Sequence, residues 1–323
     1  MKRIIAFILC LVMAFSLCAC KGDEPAPSTE PTAEPTPESS YAPVSFKNHG
    51  KRSIVTALPQ KVVTAGPNCT EVFCALGLED KVIGKCMENH SLGALTEYAE
   101  AVDSIPTLSV GYPTAQQIID SGCDFLYASS WIFDDELTVA QLEKAGITVY
   151  VSEAETIEAM WQELRDLGKV FLVDNIEEIV SEQCTRLEAV TDKLGEITEP
   201  KSVFVLDSVI GDKLYTAGGT NIESAYIAAA GGVNAMSELT KAWDAVEVSA
   251  VVAADPWCIV IHDYDGSSYD DKVAALKADP ELSQLDCVKN ERFVRLSLED
   301  AMPGMRAVPT VEAIAQALYP DKF

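Results

Sequence analysis

The sequence predicts an α/β protein of two lobes joined by a single long α-helix, with a ligand cleft between the lobes. Three observations predict it. Short apolar runs alternate with helix-spaced runs over residues 46–155, and again from about residue 200 to the end. That alternation is the mark of helices layered on parallel sheets. Between the two stretches, from Thr156 to about Leu194, the spacing is almost entirely helical. Within it Ile176, Ile179, Val180, Cys184, Leu187, Val190 and Leu194 recur at steps of 3, 1, 4, 3, 3 and 4, one apolar stripe along one helix.

The elements follow in order. MKRIIAFILCLVMAFSLCAC opens the chain with a basic pair, Lys2 and Arg3, and an apolar run from Ile4 to Leu17. That run is short of the roughly twenty residues a membrane span needs, so residues 1–19 read as a secretory leader. Leu17-Cys18-Ala19-Cys20 resembles the lipobox of bacterial lipoproteins, which would make Cys20 the lipidated first residue and anchor the chain by its acyl groups. Residues 20–45 are mostly Pro, Thr, Ser, Glu and Ala, with almost nothing to bury, and read as a stiff disordered spacer. The expected location is the outer face of the cell membrane.

Residues 46–170 read as the first lobe. Lys61–Thr64 is a strand, Ala65–Asn68 a turn, and a helix starts at Thr70. Strands follow at Lys81–Gly84, Asp124–Ala128 and Ile147–Val151, with helices at Gln116–Ser121 and around 135–145. Residues 171–196 are the connecting helix, capped by Asp174 and ended by Gly195. Residues 197–323 repeat the construction, so both lobes are Rossmann-like. Strands are expected at Ser202–Leu206, Trp257–Ile261 and Arg292–Leu296, and helices at Ile222–Ala230, Lys272–Lys277 and Thr310–Leu318. In such sheets ligands sit at the carboxyl ends of the strands.

Composition narrows the function. The net charge is −26, and the leader holds two positive charges, so the remainder carries −28. Such a surface repels nucleic acid. Of ten cysteines, seven lie beyond Cys20 (Cys69, Cys74, Cys86, Cys123, Cys184, Cys258 and Cys287), scattered in apolar segments as small buried side chains; a disulfide among them stays open. Three histidines, no HExxH, GxSxG or P-loop, and no nucleophile–base–oxyanion set point to a binder rather than an enzyme. No cofactor or resident metal is expected, and the chain is expected to be a monomer.

KVVTAGPNCTEVFCALGLEDKVIGK (61–85), PTAQQIIDSGCDFLYAS (113–129), LEKAGITVYVSEAETIEAMWQELRDLGKVF (142–171), AGGTNIESAYIAAAGGVNA (217–235), ADPWCIVIH (254–262), LDCVKNERFVRL (285–296) and MPGMRAVPTVEAIAQALYP (302–320) resemble, in order, the segments of one family. It is the helical-backbone substrate-binding proteins of ABC importers for ferric siderophores, haem and cobalamin. The resemblance covers residues 52–320. It implies little hinge motion, a ligand in the inter-lobe cleft and delivery to a membrane permease. A ferric siderophore is the expected ligand, with cobalamin or haem as the alternative. Loops after the strands hold the expected ligand contacts: Asn68, His90, Tyr112, Trp131, Phe133, Tyr215, Trp243, His262, Tyr264 and Arg306. Arg306, at the family's "p-G-x-R" arginine, could equally tie the last helix to its lobe. The family docks on its permease through an acidic residue on each lobe. Here the first position falls at Gln116, with Asp120 nearby, and the second near Thr220, leaving Glu223 as the candidate.

Overall fold

A computed structural model describes residues 41–323. The leader, Cys20 and most of the spacer lie outside the described residues. The first strand starts inside the segment expected as spacer: β1 (Val44–Asn48) and β2 (Lys51–Val55) form an antiparallel hairpin turned at His49-Gly50, both at positive φ.

The first lobe is a five-stranded parallel sheet built from β3 (Val62–Ala65), β4 (Val82–Cys86), β5 (Thr107–Ser109), β6 (Phe125–Ser129) and β7 (Thr148–Ser152). Their order is β5-β4-β3-β6-β7. Around it stand α1 (Pro67–Ala75), α2 (Ala99–Ser104), α3 (Ala115–Asp120) and α4 (Val139–Lys144). α1 starts three residues earlier than expected, because Pro67 can open a helix where no amide partner is required. Thr114 and Thr138 start α3 and α4 with capping boxes closed by Gln117 and Gln141.

The lobes are linked by long helices: α5 (Ile157–Phe171) falls at the end of the segment expected as the first lobe, and α6 (Ile176–Leu194) lies within the connector expected at 171–196. Leu172 breaks them apart in a left-handed conformation, φ 56°. Ile176 packs so closely on Gly168 that a Cβ there would lie 2.4 Å from its Cγ1. Asn175, not Asp174, occupies the cap of α6, and Gly195 ends it at φ 59°.

The second lobe holds β8 (Lys201–Leu206), β9 (Ser208–Ile210), β10 (Lys213–Ala217), α7 (Ile222–Ala229), β11 (Gly232–Asn234), β12 (Trp243–Glu247), α8 (Val248–Ala254), β13 (Cys258–Asp263), α9 (Tyr269–Ala278), α10 (Asp286–Lys289), β14 (Phe293–Ser297), α11 (Leu298–Ala301) and α12 (Ala307–Leu318). A parallel sheet runs β11-β8-β13-β14, beside an antiparallel β12-β10-β9.

One apolar core passes through both lobes. Phe73, Phe125 and Phe171 of the first lobe and the start of the connector belong to the same buried cluster as Val203, Tyr226, Val260 and Val311 of the second. Met160 of α5 is the hinge pin of this packing: its sulfur meets the Tyr226 hydroxyl at 3.3 Å and the Gly304 amide at 3.2 Å. Each fully buried large apolar side chain contributes about 1.5–3 kcal/mol, so separating the lobes would expose many such groups together. No helix among the described residues is long and apolar enough to cross a membrane. The seven cysteines beyond Cys20 are free thiols, six of them buried.

Candidate ligand-binding site

Sheet order places the site. In the first lobe the chain leaves β3 towards β4, then crosses back to add β6 on the other side, so a crevice opens at the carboxyl ends of β3 and β6. Gly66 lines it at φ 126°, where a Cβ would meet Ser129 Oγ at 2.5 Å; only glycine fits. In the second lobe the same reversal lies between β8 and β13, which end at Leu206 and Asp263, so that Asp207 and Tyr264 follow directly. The two crevices face one another.

Between them lies a chamber of about 210 Å³. His90, Tyr112 and Trp131 of the first lobe and Asp207, Tyr215, Trp243, Tyr264, Leu298 and Met302 of the second line it. His90 stacks on Tyr264 across the cleft, centroids 5.6 Å apart and 12° from parallel, and also meets Trp131 at 5.5 Å and Tyr112 edge-on at 5.9 Å. Tyr215 stacks on Trp243 at 5.9 Å and 13°. The Trp131 indole nitrogen is buried with no hydrogen-bond partner among the described residues. Trp131, Trp243 and Met302 also wall a larger space of about 690 Å³, whose other side is the β1–β2 turn, the start of α5 and Thr220–Ile222. Its carboxylates include Glu153, Glu155, Glu163 and Asp166. Burial pushes Glu163 up to about 7, despite bonds from Ser152 Oγ and the Glu153 amide. The groove between the lobes is thus one aromatic and one acidic chamber divided by two tryptophans and a methionine.

Six of the ten expected contacts meet in the aromatic chamber: His90, Tyr112, Trp131, Tyr215, Trp243 and Tyr264. The others stand elsewhere. Phe133 packs half-buried against the first lobe's own core. Asn68 is buried and joins the lobes: its amide donates to Pro303 O at 2.9 Å and its oxygen accepts from Ser129 Oγ at 2.9 Å. Arg306 is a tie, not a cleft residue. Its five N–H donors meet both Glu71 oxygens, Gly93 O, Ser297 Oγ and Asp300 Oδ1 at 2.5–3.3 Å.

His262 is fully buried, so it cannot present a nitrogen to a ligand. Its Nδ1 is 3.0 Å from Asp207 Oδ1 and its Nε2 2.9 Å from Glu223 Oε1. Burial alone would depress its pKa, but the two carboxylates outweigh that and hold it up to about 10, so both nitrogens donate. The expected docking residue Glu223 is corrected by the same geometry: 1 % exposed and spent on His262, it has no surface to offer a partner. Gln116 is exposed on α3 and donates to the exposed Asp120 at 2.7 Å. Among the described residues no group of three or more His, Cys, Asp or Glu is arranged to hold a metal ion.

Asp207, Leu298 and Met302 are chamber residues that sequence reasoning missed. Asp207 had a signal: it directly follows the apolar strand SVFVL, the rule that found the others.

The buried histidine has a measurable consequence. Its folded-state value lies above the ordinary 6.5, so the stability it contributes is complete below pH 6.5 and lost as pH rises through about 10. Lys272, whose amine donates to His262 O at 2.7 Å, acts oppositely: burial lowers it to about 8, so above pH 8 the unfolded chain binds more protons there. Relative to His262→Gln, which keeps Lys272, the protein should lose up to about 1.4 kcal/mol per pH unit as pH rises from 6.5 towards about 10; the Lys272 contribution is common to both and cancels in the difference. Urea unfolding across pH 6–10 measures it; parallel curves for the two proteins would refute the buried imidazolium.

Two facing α/β lobes linked by long helices, with a groove of aromatic side chains between them, suit the capture of a small molecule. A family model described as periplasmic binding protein matches residues 62–298, and the chain belongs to that family, as a substrate-binding protein of the ABC-importer type. The family is non-catalytic. The chain is 24% identical, over all of its length and 99% of the relative's, to an uncharacterized ABC transporter substrate-binding lipoprotein, YvrC, of Bacillus subtilis (strain 168). It is 25% identical to a cobalamin-binding protein of Halobacterium salinarum, over 62% of this chain and about half (53%) of that protein. A solved structure of a periplasmic binding protein from Veillonella parvula superposes with a TM-score of 0.74 at 25% identity, over 86% of this chain and 98% of the other.

Proposed function

We propose that this protein is a lipid-anchored capture protein that delivers a corrinoid such as cobalamin to an ABC permease at the outer face of the cell membrane. One observation carries the choice of ligand: the aromatic chamber contains no lysine or arginine, and its one charged side chain is Asp207. Haem propionates and tris-catecholate iron complexes are strongly anionic and would find no cationic partner there. A corrinoid presents a broad ring rimmed with neutral amides, suited to stacking walls and hydrogen-bond acceptors. The likeness to a cobalamin-binding protein supports the same choice. The groove must part to admit so large a ligand, because about 210 Å³ is below the usual range for a ligand pocket. The anchor rests on Leu17–Cys20 and the spacer behind it, and permease docking on exposed carboxylates such as Asp120.

A ferric siderophore is the second reading, supported by the same walls if its complex is neutral or cationic. Equilibrium dialysis against cyanocobalamin, haem, a neutral ferric hydroxamate and an anionic ferric tris-catecholate separates them. Cyanocobalamin should be retained at micromolar concentration or below, and haem and the catecholate at least about tenfold more weakly, a difference of about 1.4 kcal/mol. Retention of haem or the catecholate in preference to cyanocobalamin would defeat the reading.

A further inference from the structure

Asp207 is the one ionised group that the protein turns towards the aromatic chamber, and the protein holds it fixed. Its Oδ1 accepts from His262 Nδ1 at 3.0 Å and its Oδ2 from the Tyr264 hydroxyl at 3.3 Å. His262 is locked in turn by Glu223 on its far nitrogen, at 2.9 Å, and by Trp243 packed edge-on at 5.8 Å. Burial would favour the neutral acid, but the bonds from His262 keep Asp207 below the usual carboxylate range. Proton uptake is therefore a costly way for it to accommodate an anion. Lys272 stands behind Tyr264, 4.3 Å from the ring centre and buried, so its charge is not presented to the chamber. The remaining walls are aromatic rings and the apolar side chains of Leu298 and Met302; the faces of the Tyr and Trp rings attract positive charge and repel negative charge, and none of these walls offers a cation to an anion.

We propose that Asp207 sets the charge a ligand must carry: the part that enters the aromatic chamber bears a hydrogen-bond donor or a positive charge, and a carboxylate or phenolate there is rejected. His262 is the positioning residue that keeps Asp207 aimed and ionised. The selection is by repulsion as much as by attraction, since like charges brought together at a dry interface repel strongly. The proposal rests on the reading of the inter-lobe groove as the ligand site, and is independent of whether the ligand is a corrinoid.

The test uses one iron core with three tails. Ferrioxamine B ends in a free ammonium; its N-acetyl derivative is neutral there and its N-succinyl derivative ends in a carboxylate. Calorimetric titration of the purified protein should rank ammonium above acetyl above succinyl, with at least about a tenfold spread from first to last. Asp207→Asn should collapse that spread to within about threefold, and Asp207→Glu, which keeps the charge, should restore the order. Cyanocobalamin and its monocarboxylate, made by hydrolysing one peripheral amide, form a second pair, with the amide preferred by the native protein alone. Equal binding of the three ferrioxamines, a spread that survives in Asp207→Asn, or no saturable binding of any probe overturns the proposal. If the ferrioxamines rank as expected while cyanocobalamin does not bind, the corrinoid reading fails and the role of Asp207 stands.

Discussion

Replacing Arg306 with alanine should lower the thermal midpoint by about 10 °C, the equivalent of about 3–5 kcal/mol in a protein of this size. The reason is not the strength of one ion pair. The guanidinium is buried and donates to both Glu71 oxygens and to Gly93 O on the first lobe, and to Ser297 and Asp300 on its own lobe. Removing it leaves the Glu71 carboxylate, only 2 % exposed, without its counter-charge. The loop that carries His90 is held from the same side: Glu299 accepts from Ser91 Oγ and from the Leu92 amide. A second effect should therefore accompany the first, a loosened His90 loop with faster amide exchange over residues 88–95. Lys213→Ala is the control, because its bridge to Glu247 is exposed on both sides and should leave the midpoint unchanged. An Arg306→Ala protein that melts with the parent would show that this buried ion pair is not what ties the lobes together.

The second large effect concerns the groove. Trp131 and Trp243 stand on opposite lobes and wall both chambers. A buried aromatic at the centre of a contact commonly costs 2 kcal/mol or more when truncated, about thirtyfold in affinity. Trp131→Ala and Trp243→Ala should each weaken binding by about that factor. Trp243→Ala should also cost stability, because its ring packs on His262 and stacks on Tyr215. Phe133→Ala, off the groove and against the first lobe's core, should leave affinity within about threefold. Comparable losses of affinity in all three would mean that the variants report stability rather than contact.

What the sequence made legible follows from range. The strands were readable because runs such as Phe125–Ser129 and Cys258–Asp263 are buried throughout and carry apolar or β-branched residues in succession. The rule that ligands meet strand ends then found six of the nine chamber residues. The break between α5 and α6 was legible only as a capping residue, placed one position early, because no glycine or proline marks it: Leu172 takes the left-handed turn, and the close approach of Ile176 to Gly168 is tertiary. The antiparallel strands β9, β10 and β12 were also unread, since each is only three to five residues long and lacks an apolar run. Polar residues were the least legible. Asn68, Glu223, His262 and Arg306 look like surface chemistry in a linear string, and each is buried by a partner 39 to 235 positions away. Spacing says nothing about such pairings.

The central claim, that ligand is held between the lobes against tryptophans from both, is tested most directly by fluorescence. Of the four tryptophans, Trp161 is buried in the inter-lobe core and Trp257 is covered by Lys201 and Arg292, so only Trp131 and Trp243 face the groove. Titration with cyanocobalamin should quench the native protein saturably at micromolar concentration or below. In the Trp131→Phe, Trp243→Phe double variant most of that saturable quench should disappear while calorimetry still records binding. A quench of equal depth in both proteins would place the ligand elsewhere, and the absence of saturable quenching in the native protein would contradict the account.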